Sequence, residues 1–187
     1  MDINKGLKFI AIGFIITLLN INLTINGVTV NVTPNFIGWI LLYLAHDKLG
    51  KYTENKSYLK WLALALIILT GANWILAIAM PNNNLKYITT IINIANLVYI
   101  YGLLGIIENI ANDYNSSMIF DFKTIKYILL VAEILVTIFA LFVTQNNLTN
   151  ALAVIILVLL LIEFITTIVL AFKLLKFSNE ISNKTNN

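Results

Sequence analysis

The chain has 187 residues, 59% of them hydrophobic and 11% charged, against about 45–50% and about 25% in an ordinary soluble domain, and with a mean hydropathy of +0.87 this excludes a water-soluble globule. The absence of cysteine excludes a disulfide framework, a thiolate metal site and a cysteine nucleophile. The net charge of +3 comes from 12 basic residues against 9 acidic ones, and every basic residue is Lys. The guanidinium fork that grips phosphate in two places is therefore missing, and no nucleic-acid partner is expected.

A bilayer core of about 30 Å takes roughly 20 apolar residues in a helix. The sequence predicts six spans, at about 7–24, 34–49, 58–79, 86–107, 124–144 and 150–173. The first could be mistaken for a signal peptide, since Lys5 and Lys8 precede it, but no A-x-A-like site follows. Residues 25–33 alternate polar and apolar around Asn26-Gly27, which fits either a short outer hairpin or a flexible connector. The second span is short: its apolar part is Phe36 to Ala45, opened by Thr33 as N-cap and Pro34 at the first helical position.

Lysine placement sets the crossings, because cytoplasmic loops hold the excess of positive charge. With six spans and the N-terminus inside, eleven lysines fall on the inner side and only Lys86 on the outer. The expectation is an all-α, polytopic membrane helix bundle of six transmembrane helices, with both termini cytoplasmic. Residues 1–177 form its single membrane domain, and the polar, Asn-rich residues 178–187 are expected to be a disordered cytoplasmic tail. Abundant Ile, Asn and Lys beside the lack of Arg point to an AT-rich prokaryotic genome and so to the cell membrane.

A carboxyl group near mid-membrane is costly, about 2.5–3.5 kcal/mol on insertion scales, and is a functional candidate by default. Two qualify. Glu133 lies ten residues after Lys123 and Glu163 ten before Lys173, which places each ~15 Å from the cytoplasmic anchor of its helix. The last two helices form an antiparallel hairpin, so both carboxyls share one depth. Helical spacing adds Thr137 to the face of Glu133, and Thr166 and Thr167 to that of Glu163. The first helix carries Gly6, Gly13, Thr17 and Asn20 on one face, the third Thr70 and Asn73, the fourth Thr89, Asn93 and Asn96. Reflection across residues 82–83 sets Asn73 level with about residue 92, within reach of Asn93.

Polar stripes of this kind face other helices or a cavity, because lipid offers them no partner. Asn20, Asn73, Asn93, Asn96, Glu133 and Glu163 thus form a candidate midplane ring. It would bind a proton, a small cation or a polar solute, with one proton or one cation between the two acids. The competing reading makes the same residues interhelical glue, worth about 0.6 kcal/mol each. His46, the one histidine, reads as a solvated tip at the cytoplasmic end of the second span. Trp39, Trp61, Trp74, Tyr43, Tyr52, Tyr58, Tyr99 and Tyr101 read as interfacial anchors and packing residues.

Enzyme readings lack parts. All five serines fall in cytoplasmic loops or the tail, no Asp lies in the interior of a span, Asp47 being at the cytoplasmic end of the second, and the spans lack the several histidines a metal site would need. No catalysis and no cofactor are expected. The expected surroundings are the lipid bilayer, and the expected protein partner is a second copy of the chain or a membrane subunit.

Residues 1–50, from GLKFIAIGFIITLLNINL through TPNFIGWILLYLAHDKLG, resemble uncharacterised small multi-pass membrane proteins of low-GC prokaryotes. These share a P-x-F-I-G start to the second helix, here Pro34 to Gly38, more often with Asp before the Phe. The resemblance implies a membrane protein and brings no activity. A weaker likeness is to the substrate-binding S components of energy-coupling-factor vitamin transporters, of similar length, with six helices and an ordered loop after the first. Their first helix usually carries an A-x-x-x-A docking motif, where this chain has only Ala11 and an offset Gly6/Gly13/Thr17 stripe. The functional expectation is binding or transport of a small solute or cation. The alternatives are a structural or regulatory membrane subunit and an S-component-like subunit.

Overall fold

The structure, a computed structural model, describes residues 2–19, 22–25, 28–31, 34–79, 86–143 and 150–186. Six helices follow in chain order: α1 (Ile3–Leu18), α2 (Phe36–Leu49), α3 (Tyr58–Ala79), α4 (Lys86–Asp113), α5 (Ile119–Val143) and α6 (Asn150–Asn186). The connection between α1 and α2 holds strands β1 (Asn22–Ile25) and β2 (Val28–Asn31), paired antiparallel with Leu23 opposite Val30.

α4 runs on to Asp113, past the expected 107, and α5 begins at Ile119, ahead of the expected 124, and three further differences have a visible structural reason. α1 stops at Leu18, not residue 24, because the alternating β-branched residues of 22–31 take the hairpin option. Asn20 and the Asn26-Gly27 turn lie outside the described residues. α2 begins at Phe36 with Asn35 as its N-cap residue, and Thr33 lies outside the described residues.

The third difference is at the C-terminus. α6 continues as helix to Asn186, where polar composition alone suggested disorder from Ser178. The extension is held by neighbours. Phe177 and Ile181 are buried, and Phe177 packs on Phe122 at 5.5 Å between ring centroids. Ser178 bonds Asn4, Ser116 donates to Glu180, and Lys184 donates to the Tyr114 carbonyl.

Two local devices turn the chain sharply. Gly50, at φ 56°, ends α2 and leads into a 3₁₀ turn over Gly50–Lys56. Asn115, at φ 46°, follows α4, and the Ser116 amide returns to the Ala111 carbonyl at 2.9 Å. Asn tolerates this left-handed conformation better than most residues.

Three helices are long and apolar enough to cross a bilayer, over Tyr58–Leu76, Ile88–Asp113 and Val154–Lys184. The expectation of six is met only to that extent. With 16 and 14 residues, α1 and α2 fall short of the roughly 20 that a full crossing takes, and α5 carries Asp121, Lys123, Lys126 and Glu133. The outward faces are apolar throughout: Trp61, Ile68, Val154, Leu157 and Phe172 are each 60% exposed or more. Such surfaces suit a hydrocarbon solvent and not water.

Each helix packs on its chain neighbours, and α6 returns to pack on α1, so the six close into a ring. Small residues set the tightest seam. A Cβ on Gly38 of α2 would lie 2.7 Å from the Gly13 carbonyl oxygen of α1, so the two backbones touch there. Gly6 meets Leu49 on the same seam, and Gly102 of α4 meets Leu59 of α3.

At the other seams, ion pairs join adjacent helices at one end of the ring: Asp47 with Lys60, Glu108 with Lys126, and Asp121 with Lys173. The Lys126–Glu108 pair is the least exposed of these. Partial burial makes it the one whose rupture would cost most, since a half-exposed pair contributes only about 0–1 kcal/mol.

Candidate functional site

Within the ring lies a cavity of about 170 Å³ lined by residues from all six helices and the α2 N-cap. The helical period puts them there. On α4, Asn93, Asn96 and Ile100 recur at i, i+3 and i+7, and on α6, Glu163 and Thr167 are four apart, so each set shares one face. Thr17 of α1, Asn35 at the start of α2 and Thr70 of α3 complete the polar lining, while Phe14, Trp39 and Leu129 form apolar wall.

Beside it is a narrower void of about 20 Å³ that shares Glu163, Thr167, Ile100 and Leu129 and adds Glu133, Tyr101 and Lys126. Glu133 is buried and within hydrogen-bond reach of both Glu163 and Asn96. The two acids, one on α5 and one on α6, therefore meet, as their equal depth on an antiparallel hairpin requires.

The candidate residues read from the sequence divide as follows. Glu163, Asn93, Asn96 and Thr167 line the larger cavity, and Glu133 lines the adjoining void. Thr137, one turn beyond Glu133, has its hydroxyl oxygen buried without a hydrogen-bond partner. Asn73 stands apart from the lining, with its Oδ1 buried and unpartnered. Thr166 is half-buried beside Thr167 and does not line the cavity. Asn20 lies outside the described residues.

Among the lining residues that the sequence reading did not place at the site are Asn35 and Trp39. Asn35 lies before the apolar run of α2 and looks like part of its cap, yet its side-chain oxygen is buried without a partner. Trp39 was read as an interfacial anchor. It is 5% exposed and packs edge-on against the fully buried Tyr99, at 5.1 Å between centroids.

His46 also differs from its reading as a solvated tip. It is 2% exposed, with Nε2 3.1 Å from the Tyr99 hydroxyl, and Tyr99 in turn donates to the Leu42 carbonyl. The signal was available in outline: Trp39, Leu42 and His46 recur at i, i+3 and i+7, the spacing of an inward face. Trp61, Tyr58 and Tyr101 are at least half exposed, as interfacial residues should be.

Three lining hydroxyls have the same hydrogen-bond habit. Thr17 donates to the Phe14 carbonyl at 2.9 Å, Thr70 to the Leu66 carbonyl at 2.6 Å and Thr167 to the Glu163 carbonyl at 2.9 Å. Each thus satisfies a backbone oxygen of its own helix and turns lone pairs outward. No cluster of three or more His, Cys, Asp or Glu suited to a metal ion occurs among the described residues.

The small-residue stripe of α1 is used within the chain. Gly6 and Gly13 lie against Leu49 and Gly38 of α2, so this stripe is not on offer to a partner subunit. Comparison with protein-family models, with curated proteins and with solved structures gives no match.

Proposed function

We propose that the protein is a six-span membrane protein of the cell membrane, both termini cytoplasmic, that binds a small polar solute or cation in the cavity at its axis, as a carrier does. The observation that carries this reading is the cavity itself: all six helices contribute to it, and its polar residues converge from sequence-distant positions on one space beside a pair of acids. Polar side chains serving only as glue would pair off between neighbouring helices. Here the Asn35 oxygen has no partner, and three threonines bond only within their own helices.

The six-span arrangement is supported by the ring. α1, α2 and α5 lie between helices that are apolar enough to cross, and they turn Ile12, Ile37, Ile40, Leu44 and Val131 outward at the same surface. Local thinning of the bilayer accommodates the short pair α1 and α2. Ion pairs gather at the lysine-rich end, which supports the reading of that end as the cytoplasmic one.

The test is the thermal stability of detergent-purified wild type, Glu133→Gln and Glu163→Gln across pH 5–9 with monovalent and divalent cations. A stabilisation by ions or pH in wild type that both variants lose supports the shared site. Variants as stable as wild type, with no response in any of the three, overturn it in favour of a structural or regulatory subunit whose polar residues hold the bundle.

A further inference from the structure

The balance of hydrogen-bond donors and acceptors around the cavity narrows the chemistry of its occupant. A threonine hydroxyl has one proton to give, and Thr17, Thr70 and Thr167 each spend it on a carbonyl of their own helix. What they present to the cavity is lone pairs. Asn35 adds an unpartnered carbonyl oxygen, and Glu163 adds its carboxyl group. The donors are the amides of Asn35, Asn93 and Asn96, with that of Asn96 beside Glu133, and the indole N–H of Trp39. What selects between ligands is the Asn35 oxygen, buried without a partner, together with the Glu163 carboxyl group, and both can accept from a donor-bearing cation. An anion entering it would leave the Asn35 oxygen unmet and stand against the Glu163 carboxyl group.

Size and wall composition narrow the choice further. At the roughly 30 Å³ that a water molecule occupies in the liquid, a cavity of about 170 Å³ has room well beyond one bare ion. Part of the wall is hydrocarbon and aromatic, from Phe14, Ile92, Ile100 and Trp39, and an indole face attracts cations. We propose that the occupant is a small organic ammonium ion: an amine of a few heavy atoms whose N–H groups donate to Glu163, Asn35 and the threonine oxygens, and whose hydrocarbon part lies against Trp39 and Phe14. This rests on the reading of the cavity as a binding site and names its ligand class.

The experiment measures the stabilisation of purified wild type by n-alkylammonium chlorides from methyl to hexyl, with sodium, potassium and magnesium chloride and sodium propionate at matched ionic strength. The expected result is a saturable rise in melting temperature that peaks within the alkyl series and falls once the chain outgrows the cavity. Glu163→Gln should abolish it, and Thr70→Val and Thr167→Val should each raise the concentration needed by about tenfold, the worth of one hydrogen bond to a charged group. Both threonines bond only their own helix, so these two variants fold even where Glu163→Gln does not.

A response that climbs steadily with chain length and is unchanged in the valine variants is adsorption of an amphiphile, and overturns the assignment. Stabilisation by propionate or by a metal ion, with none by the amines, overturns the ammonium class and leaves the binding site standing. No response to any probe overturns both.

Discussion

Gly38, on the α1–α2 seam, and Gly71, on α3 against Phe36, sit in opposite packing, so the same substitution should change sign between them. A Cβ added at Gly38 would sit 2.7 Å from the Gly13 carbonyl oxygen and 2.5 Å from Thr17 Cγ2. Thr17 cannot swing aside freely, because its χ1 is restricted and its hydroxyl is tied to Phe14. Restoring ordinary contact requires the helices to part by about 0.7 Å, an overpacking that costs ~1–3 kcal/mol, offset in part by the ~1 kcal/mol by which Ala outranks Gly in a helix.

At Gly71 the nearest atoms to an added Cβ belong to Phe36, at 3.9 Å. Gly71→Ala therefore keeps the propensity gain without the clash. Gly38→Ala is expected to be the less stable of the two by about 1–3 kcal/mol, read by equilibrium unfolding in mixed micelles of rising SDS fraction. Because α1 carries Thr17 and α2 carries Asn35 and Trp39, parting this seam should also weaken any ligand response, which Gly71→Ala leaves intact. Equal stability of the two variants, or the reverse order, would refute the backbone contact.

The crossing number and the hydrogen bonding of the cytoplasmic face can be checked separately. The chain lacks cysteine, so single cysteines report location: Glu54→Cys should react with an impermeant maleimide only from the cytoplasmic side and Asn147→Cys only from outside, and labelling of position 54 in intact cells would rule out the six-span order. Tyr52 lies in the turn after α2, where burial, and then a hydrogen bond to the Asp113 carboxylate, push its phenol from 10.0 up to about 12. A value raised on folding means the stabilisation is fully present below pH 10.0 and is lost as pH climbs towards about 12. Tyr52→Phe should flatten that alkaline decline relative to wild type, and superimposable curves would show that the Asp113 bond does not form.

Helical period and charge were enough to place most of the site. Glu163 and Thr167 share a face because they are four residues apart, and Glu133 meets Glu163 because α5 and α6 are adjacent, antiparallel and anchored by lysines equally far from each acid. Where the period was weak, the sequence was mute. The polar segment after Ser178 reads as disordered until Phe177 and Ile181 are seen to pack, a contact supplied by residues some sixty positions away. In α2, apolar residues on every side blur the i, i+3, i+7 spacing of Trp39, Leu42 and His46, so the inward face stands out only weakly. Their direction is set by the glycines at 13 and 38, which fix how α2 rotates against α1.

The same dependence governs the Asn35 oxygen. Water would satisfy it in an isolated helix N-terminus, and it becomes an unmet acceptor only after ring closure puts Thr17, Thr70 and Asn93 around the same space. The chemistry of the cavity is thus a property of the closed ring. Any perturbation that opens the α1–α2 seam should let water satisfy those acceptors and remove the preference for a donor-rich ligand, even with every lining side chain unchanged.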